Sequence, residues 1–238
     1  MRKFFGSMLV LVLFLSAGNV FASKLLEGEA TFVSTAGAGQ TYIDYIVSDN
    51  DLAGGIDQSN FVFSILNAGP GKVGDYAAYQ ASTYFYYYQL ENNSADCTTS
   101  LLQLTLNLEP LHVLSIGYIS GADLDTDGNF DHNIAGEHED NNAAIIDPFY
   151  TQYDTISRPQ NQTWGYLGTS ELPIGSEGPV LFITSDAPPI TSPAYLLDGG
   201  PFDGTLPTPP RPEDSVPEPF SMILLGSGLA GLLIKRKK

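Results

Sequence analysis

The chain has 238 residues and a formal net charge of −17, with 27 acidic against 10 basic side chains. That balance excludes nucleic acid and anionic membrane surfaces as partners, because phosphate binding needs a basic face. Cations, water and neutral sugars suit it better. The single cysteine, Cys97, rules out an intrachain disulfide, so the fold must be held by its core.

Residues 1–22 read as a secretory signal helix. Met1, Arg2 and Lys3 make a basic start, residues 8–15 are apolar, and Val20-Phe21-Ala22 is a small-residue cleavage site before Ser23. Between this segment and the C-terminal tail only Lys24, Lys72, Arg158 and Arg211 are basic. Four basic against 27 acidic residues leave the exported part with a charge of −23.

Residues 23–203 are expected to form one all-β domain, an antiparallel β-sandwich. Residues 30–34 and 41–47 alternate with the period of two that marks a half-buried strand. Phe61, Phe63 and Ile65 do the same, and a turn signal follows at residues 67–71. Residues 83–90 carry five aromatic side chains, Tyr84, Phe85, Tyr86, Tyr87 and Tyr88. Such density suits a pleated surface. It reads as a strand whose rings pack in the core, with a sugar-stacking platform as the alternative. Cys97 reads as an ordinary residue at a loop–strand junction.

Leu102, Leu104, Leu106 and Leu108 alternate with polar residues and give the clearest strand. Further strands are expected over residues 112–119, 180–184 and 194–197, and a short helix over residues 140–146. Trp164 is assigned to the core, with a sugar groove as the alternative. Residues 204–215 hold Pro207, Pro209, Pro210 and Pro212 and read as a stiff linker extending at about 3 Å per residue.

One stretch has the spacing of a metal site. Asp123, Asp125 and Asp127 alternate, Gly128 permits a sharp turn, and Asn129 and Asp131 continue the series. Calcium takes six to eight oxygens, and acids at every second position curl round one ion. The stretch resembles EF-hand-like and dockerin-like calcium loops, which implies a bound Ca²⁺. The twelfth position is Ile134 where those loops place an acid, leaving Glu137, Glu139 or Asp140 to complete the shell. His132 and His138 lack the spacing of a transition-metal site.

The C-terminus ends in three parts. Pro217-Glu218-Pro219 is stiff and lacks two backbone donors. Residues 220–234 are apolar, and Lys235, Arg236, Lys237 and Lys238 follow. As a helix, the apolar run spans roughly 22 Å, short of a bilayer core of about 30 Å. Residues 216–238 resemble the PEP-CTERM sorting signal of Gram-negative bacteria. The strand ending in Tyr88-Gln89-Leu90-Glu91-Asn92, the Pro188-Pro189 pair, Asp198-Gly199-Gly200 and Leu206-Pro207-Thr208-Pro209 resemble other proteins with that tail. The resemblance implies recognition of Pro217, Glu218 and Pro219 by an exosortase-type membrane enzyme. It also implies a transient hold in the inner membrane through the C-terminal segment, and export in bacteria that make exopolysaccharide and biofilm.

No GxSxG, phosphate-cradling loop or CxxC is present. The expected activity is therefore that of a non-enzymatic cell-surface or extracellular-matrix protein, stabilised by Ca²⁺ and associated with extracellular polysaccharide. The alternative is a carbohydrate-binding module or a secreted hydrolase acting on exopolysaccharide.

Overall fold

A computed structural model describes residues 24–34, 40–67, 71–92, 97, 100–108, 112–124, 144–154, 160–166, 171–197 and 201–210. The signal segment, most of the acidic loop and the C-terminal tail lie outside these residues, and with them both expected terminal helices. No helix of the described residues is long and apolar enough to cross a membrane.

The described residues form an all-β fold. In chain order the strands are β1 (Lys24–Ser34), β2 (Gln40–Ser48), β3 (Phe61–Phe63), β4 (Ile65–Leu66), β5 (Tyr84–Asn92), β6 (Gln103–Leu108) and β7 (Val113–Ile119). They continue with β8 (Ala144–Ile145), β9 (Tyr150–Asp154), β10 (Gln160–Gly165), β11 (Ser176–Glu177), β12 (Val180–Ser185), β13 (Ile190–Leu197) and β14 (Pro201–Thr208). Among the described residues one short α-helix, α1 (Tyr76–Gln80), and a 3-10 turn over Gln58–Asn60 interrupt them.

The hydrogen-bonded path runs β3-β7-β12-β5-β2-β1-β14-β13-β6-β10-β9-β4. Its two end strands, β3 and β4, are separated in the chain only by Ser64. One segment thus pairs antiparallel with β7 and then parallel with β9, and the path closes on itself. β1 turns the opposite corner. It follows β2 from Lys24 to Val33 but meets β14 only through Val33 and Ser34. The outcome is sandwich-like: a first layer of β3, β7, β12, β5, β2 and β1 faces a second of β14, β13, β6, β10, β9 and β4. Strands that switch layers at a bend are how such corners are made.

The two layers bury different numbers of faces, and the sequence pattern follows. In β6, Leu104, Leu106 and Leu108 point into the core while Gln103, Thr105 and Asn107 stay half-exposed. In β5, every residue from Phe85 to Asn92 is buried. Tyr86, Tyr88 and Leu90 pack between the layers beside Trp164, Leu106 and Leu206. Phe85 and Tyr87 point the other way, into a second cluster with Ile46, Phe61, Tyr79 and Phe182. Strands covered on both faces read as continuous apolar runs, because neither face meets water. Burying each large apolar side chain contributes about 1.5–3 kcal/mol.

The cover over that second face is α1 and the loop after β2. Asp75 caps α1 by accepting from the Ala78 N–H at 2.9 Å. The Tyr79 hydroxyl donates to Asp51 Oδ1 at 2.6 Å and lies 2.8 Å from the Tyr87 hydroxyl. The Leu52 N–H donates to the same Tyr87 oxygen at 3.2 Å. Helix, loop and sheet are therefore joined by a polar network inside an aromatic cluster, where Phe61 meets Tyr79 edge-on at 4.9 Å.

Several sequence expectations change here. Ala144–Ile145, inside the expected helix, is a strand paired in parallel with β11. Residues 204–208, read as linker from their prolines, complete β14 and pair with β13 as far as Thr208. Proline is tolerated there because β14 borders β1 over only two residue pairs, so its missing donor interrupts no second ladder.

Candidate functional site

Each residue singled out in the sequence has a definite place or lies outside the described residues. The sorting residues Pro217, Glu218 and Pro219 lie outside, beyond Pro210. Asp125, Asp127, Asn129 and Asp131 of the acidic loop also lie outside, with His132 and His138. Asp123, the head of that loop, is buried at 9 % exposure.

The loop starts from a polar end of the first layer. The Leu124 N–H donates to Gln89 Oε1 at 2.6 Å, and Gln89 Nε2 donates to the Gly178 carbonyl at 3.0 Å. Gln89 faces Asp44 across the β2–β5 ladder, and Glu91 faces Glu177 across the β5–β11 ladder. All three carboxylates are buried. Among the described residues no group of three or more His, Cys, Asp or Glu side chains is placed to hold a metal ion.

The tyrosines of β5 belong to the core. Tyr86 donates to the Ala187 carbonyl at 2.8 Å and Tyr88 to the Pro207 carbonyl at 2.5 Å. Burial raises the phenols of Tyr86, Tyr87 and Tyr88 well above their ordinary value. Tyr79 and Tyr166 are raised in the same way, with Tyr87 adding to the first and Asp147 to the second. Trp164 is fully buried and donates to the Gly117 carbonyl at 3.0 Å. Neither the tyrosine run nor the tryptophan is open to a sugar. Cys97 is a buried thiol whose Sγ lies 3.8 Å from the Glu91 carbonyl. His112 sits just before β7, where Nδ1 lies 3.0 Å from Asp186 Oδ1.

The structure brings together a surface that no local signal revealed. On the solvent face of the second layer, β9, β10, β6 and the residue after β4 line a groove of about 200 Å³. Cross-strand register sets its rows. Gln152 stands opposite Thr163, Thr163 opposite Thr105, and Thr105 opposite Tyr195. In the next row Tyr150 stands opposite Gly165, and Gly165 opposite Gln103.

Gly165 is what lets Tyr150 lie down. A Cβ at this position would come within 2.0 Å of Tyr150 Cε1 and 2.1 Å of its Cζ. The ring therefore covers the glycine, half-buried, with its hydroxyl 3.4 Å from Gln103 Oε1. Asn67 Nδ2 donates to Asp154 Oδ1 at 2.6 Å at the other end of the groove. Asn161 also lines it, and its Oδ1 has no hydrogen-bond partner among the described residues.

Residues 215–237 match the family model of the PEP-CTERM protein-sorting motif. No curated protein matches the chain, and no solved structure does. The motif implies an exported protein, sorted at the membrane through its C-terminus and processed by an exosortase, a membrane enzyme.

Proposed function

We propose that the chain is a non-enzymatic display protein of the cell surface or extracellular matrix. The sorting motif at residues 215–237 carries this reading. The layout before the motif supports it: β14 ends at Thr208, and Pro209, Pro210 and Pro212 follow before the sorting residues. In this reading the folded domain is released into the polysaccharide and biofilm layer once its tail has been processed.

Calcium fits the same reading. Asp123, Asp125 and Asp127 are close in sequence and would repel one another in one turn without a cation. The Gln89 bond to Leu124 anchors the start of that turn on the sheet. Extracellular calcium modules bind in the range of about 10⁻⁴–10⁻³ M, which such a loop needs only to match.

The test is to follow the C-terminus in cells with and without an exosortase. Intact-mass measurement of exported protein is expected to show loss of the segment after the Pro217-Glu218-Pro219 region only when the enzyme is present. Substitution of Pro217 and Pro219 by alanine is expected to leave the chain full-length and membrane-held. Identical masses in the two strains would overturn the sorting assignment. Release of sugar products from the cell's own polysaccharide by purified protein would overturn the non-enzymatic one.

A further inference from the structure

We infer that the solvent face of the second layer is a binding site for a segment of neutral polysaccharide, with Tyr150 as its stacking platform. Three independent features meet there.

The first is the ring. The half-exposed Tyr150 ring lies over the backbone of Gly165, where a Cβ would sit 2.0 Å from its Cε1, and it lines the groove. A pyranose presents C–H groups on its faces and hydroxyls round its edge. A flat phenol bordered by amides is complementary to both parts, as small-molecule sites with an apolar base and a few placed polar groups are.

The second is the polar fringe. Gln103, Gln152, Asn161 and Thr163 offer donors and acceptors of no net charge around the ring.

The third is charge and length. Among the described residues lining the groove, Asp154 is the one carboxylate and none is a lysine or arginine. With 27 acidic residues in the chain, a polyanion would be repelled. Tyr195, 40 % exposed, stands on the same face as Tyr150, one row over and three strands across. Three strand spacings are about 14 Å, so the two rings can engage separate sugars of one extended chain.

This inference takes its setting from surface display but does not depend on the tail, and its test is separate. Full-length protein is kept in solution with a polyoxyethylene detergent that carries no sugar. It is then run through native gels cast with galactomannan, hydroxyethylcellulose or dextran, and with alginate as the anionic comparison. Retardation that grows with the concentration of at least one neutral polymer is expected, and none with alginate. Tyr150→Ala should weaken the apparent association roughly tenfold, and Asn161→Ala and Gln152→Ala by smaller factors. Tyr150→Trp should retain it, since the platform is kept. Equal melting temperatures for the Gln152→Ala variant and the parent separate loss of a contact from loss of fold. No retardation by any neutral polymer overturns the inference. Retardation unchanged in the Tyr150→Ala and Gln152→Ala variants does so too, as does retardation that is independent of polymer and reflects self-association. None of these outcomes bears on C-terminal processing.

Discussion

Trp164 on β10 donates its indole N–H to the carbonyl of Gly117 on β7, at 3.0 Å across the interior. This bond joins the two layers near the corner where β3 passes into β4, since β7 neighbours β3 and β10 is separated from β4 only by β9. Gly117 is a glycine for a separate reason: a Cβ there would come within 2.0 Å of the Val62 carbonyl oxygen and 2.9 Å of the Phe182 ring. Close approach of β3 to β7 and the tryptophan contact therefore depend on the same residue.

Removing either partner should be costly in different ways. Trp164→Phe takes away the donor and leaves a void beside Leu104 and Ile116, for a loss of about 2–4 kcal/mol. Gly117→Ala forces β3 away from β7 and should cost about 1–3 kcal/mol by overpacking. Urea unfolding of both variants checks this. A loss below about 0.5 kcal/mol in either would show that the contact is not part of the folded core.

The cover of the first layer makes its own prediction. Tyr79→Phe removes the hydroxyl shared by Asp51 and Tyr87 without changing the ring packing. The expected loss is about 1–2 kcal/mol. Asp51→Ala should cost more, because it also releases the Ala53 N–H that Asp51 Oδ1 holds at 2.9 Å. Hydrogen exchange should rise first in the loop after β2 and in α1, ahead of β5. Uniform exchange across all three would contradict a separable cover.

Buried tyrosines set an alkaline limit. Tyr79, Tyr86, Tyr87, Tyr88 and Tyr166 all have phenols raised above the ordinary value of 10, with burial as the largest cause. Below pH 10 both folded and unfolded chains keep these protons, so the full stability is present. Above pH 10 the unfolded chain releases them while the folded chain holds them. Stability then falls by about 1.4 kcal/mol per pH unit for each such tyrosine. The chain should unfold cooperatively within one to two units above pH 10. Tyrosinate absorbance from these rings should appear together with the loss of near-ultraviolet circular dichroism. Full ionisation with the dichroism intact would refute the burial of the β5 rings.

The acidic loop predicts a calcium effect that can be read without any activity. Terbium should bind the full-length chain and be displaced by calcium at millimolar levels or below. Asp125→Ala combined with Asp127→Ala should abolish the luminescence. Saturating calcium at 100 times its dissociation constant should add about 2.7 kcal/mol of stability. Absence of terbium binding at millimolar concentration would remove calcium from the account.

Legibility in the sequence followed burial on one face or two. β6 could be read residue by residue, because its solvent face stays polar and its leucines fall at every second position. β9 and β10 escaped notice. Their outward residues Tyr150, Gln152, Asn161 and Thr163 are polar or aromatic, and the inward positions include Thr151 and Gln162, so no apolar alternation is written there. Gln162 is a core-facing amide whose Nε2 donates to Thr151 Oγ1 at 2.9 Å, a satisfaction visible only once β9 and β10 are paired. The prolines of residues 204–208 suggested a linker, and pairing with β13 overrode that local preference.

The sequence by itself determined export and C-terminal sorting at the membrane, the acidic charge, the all-β class and the identity of the strongest strands. Those properties are local: targeting segments, charge and period-two patterning can be read without knowing what lies opposite. Only the tertiary structure decided which side of each aromatic strand meets water. It sent the tyrosines of β5 inward, because α1 and the loop after β2 cover the face that an isolated sheet would expose. It also assembled the Tyr150 groove by pairing the β9–β10 hairpin with β6, more than 40 residues earlier in the chain. A surface whose members meet only through strand register leaves no local trace, since the register is set by the core beneath it.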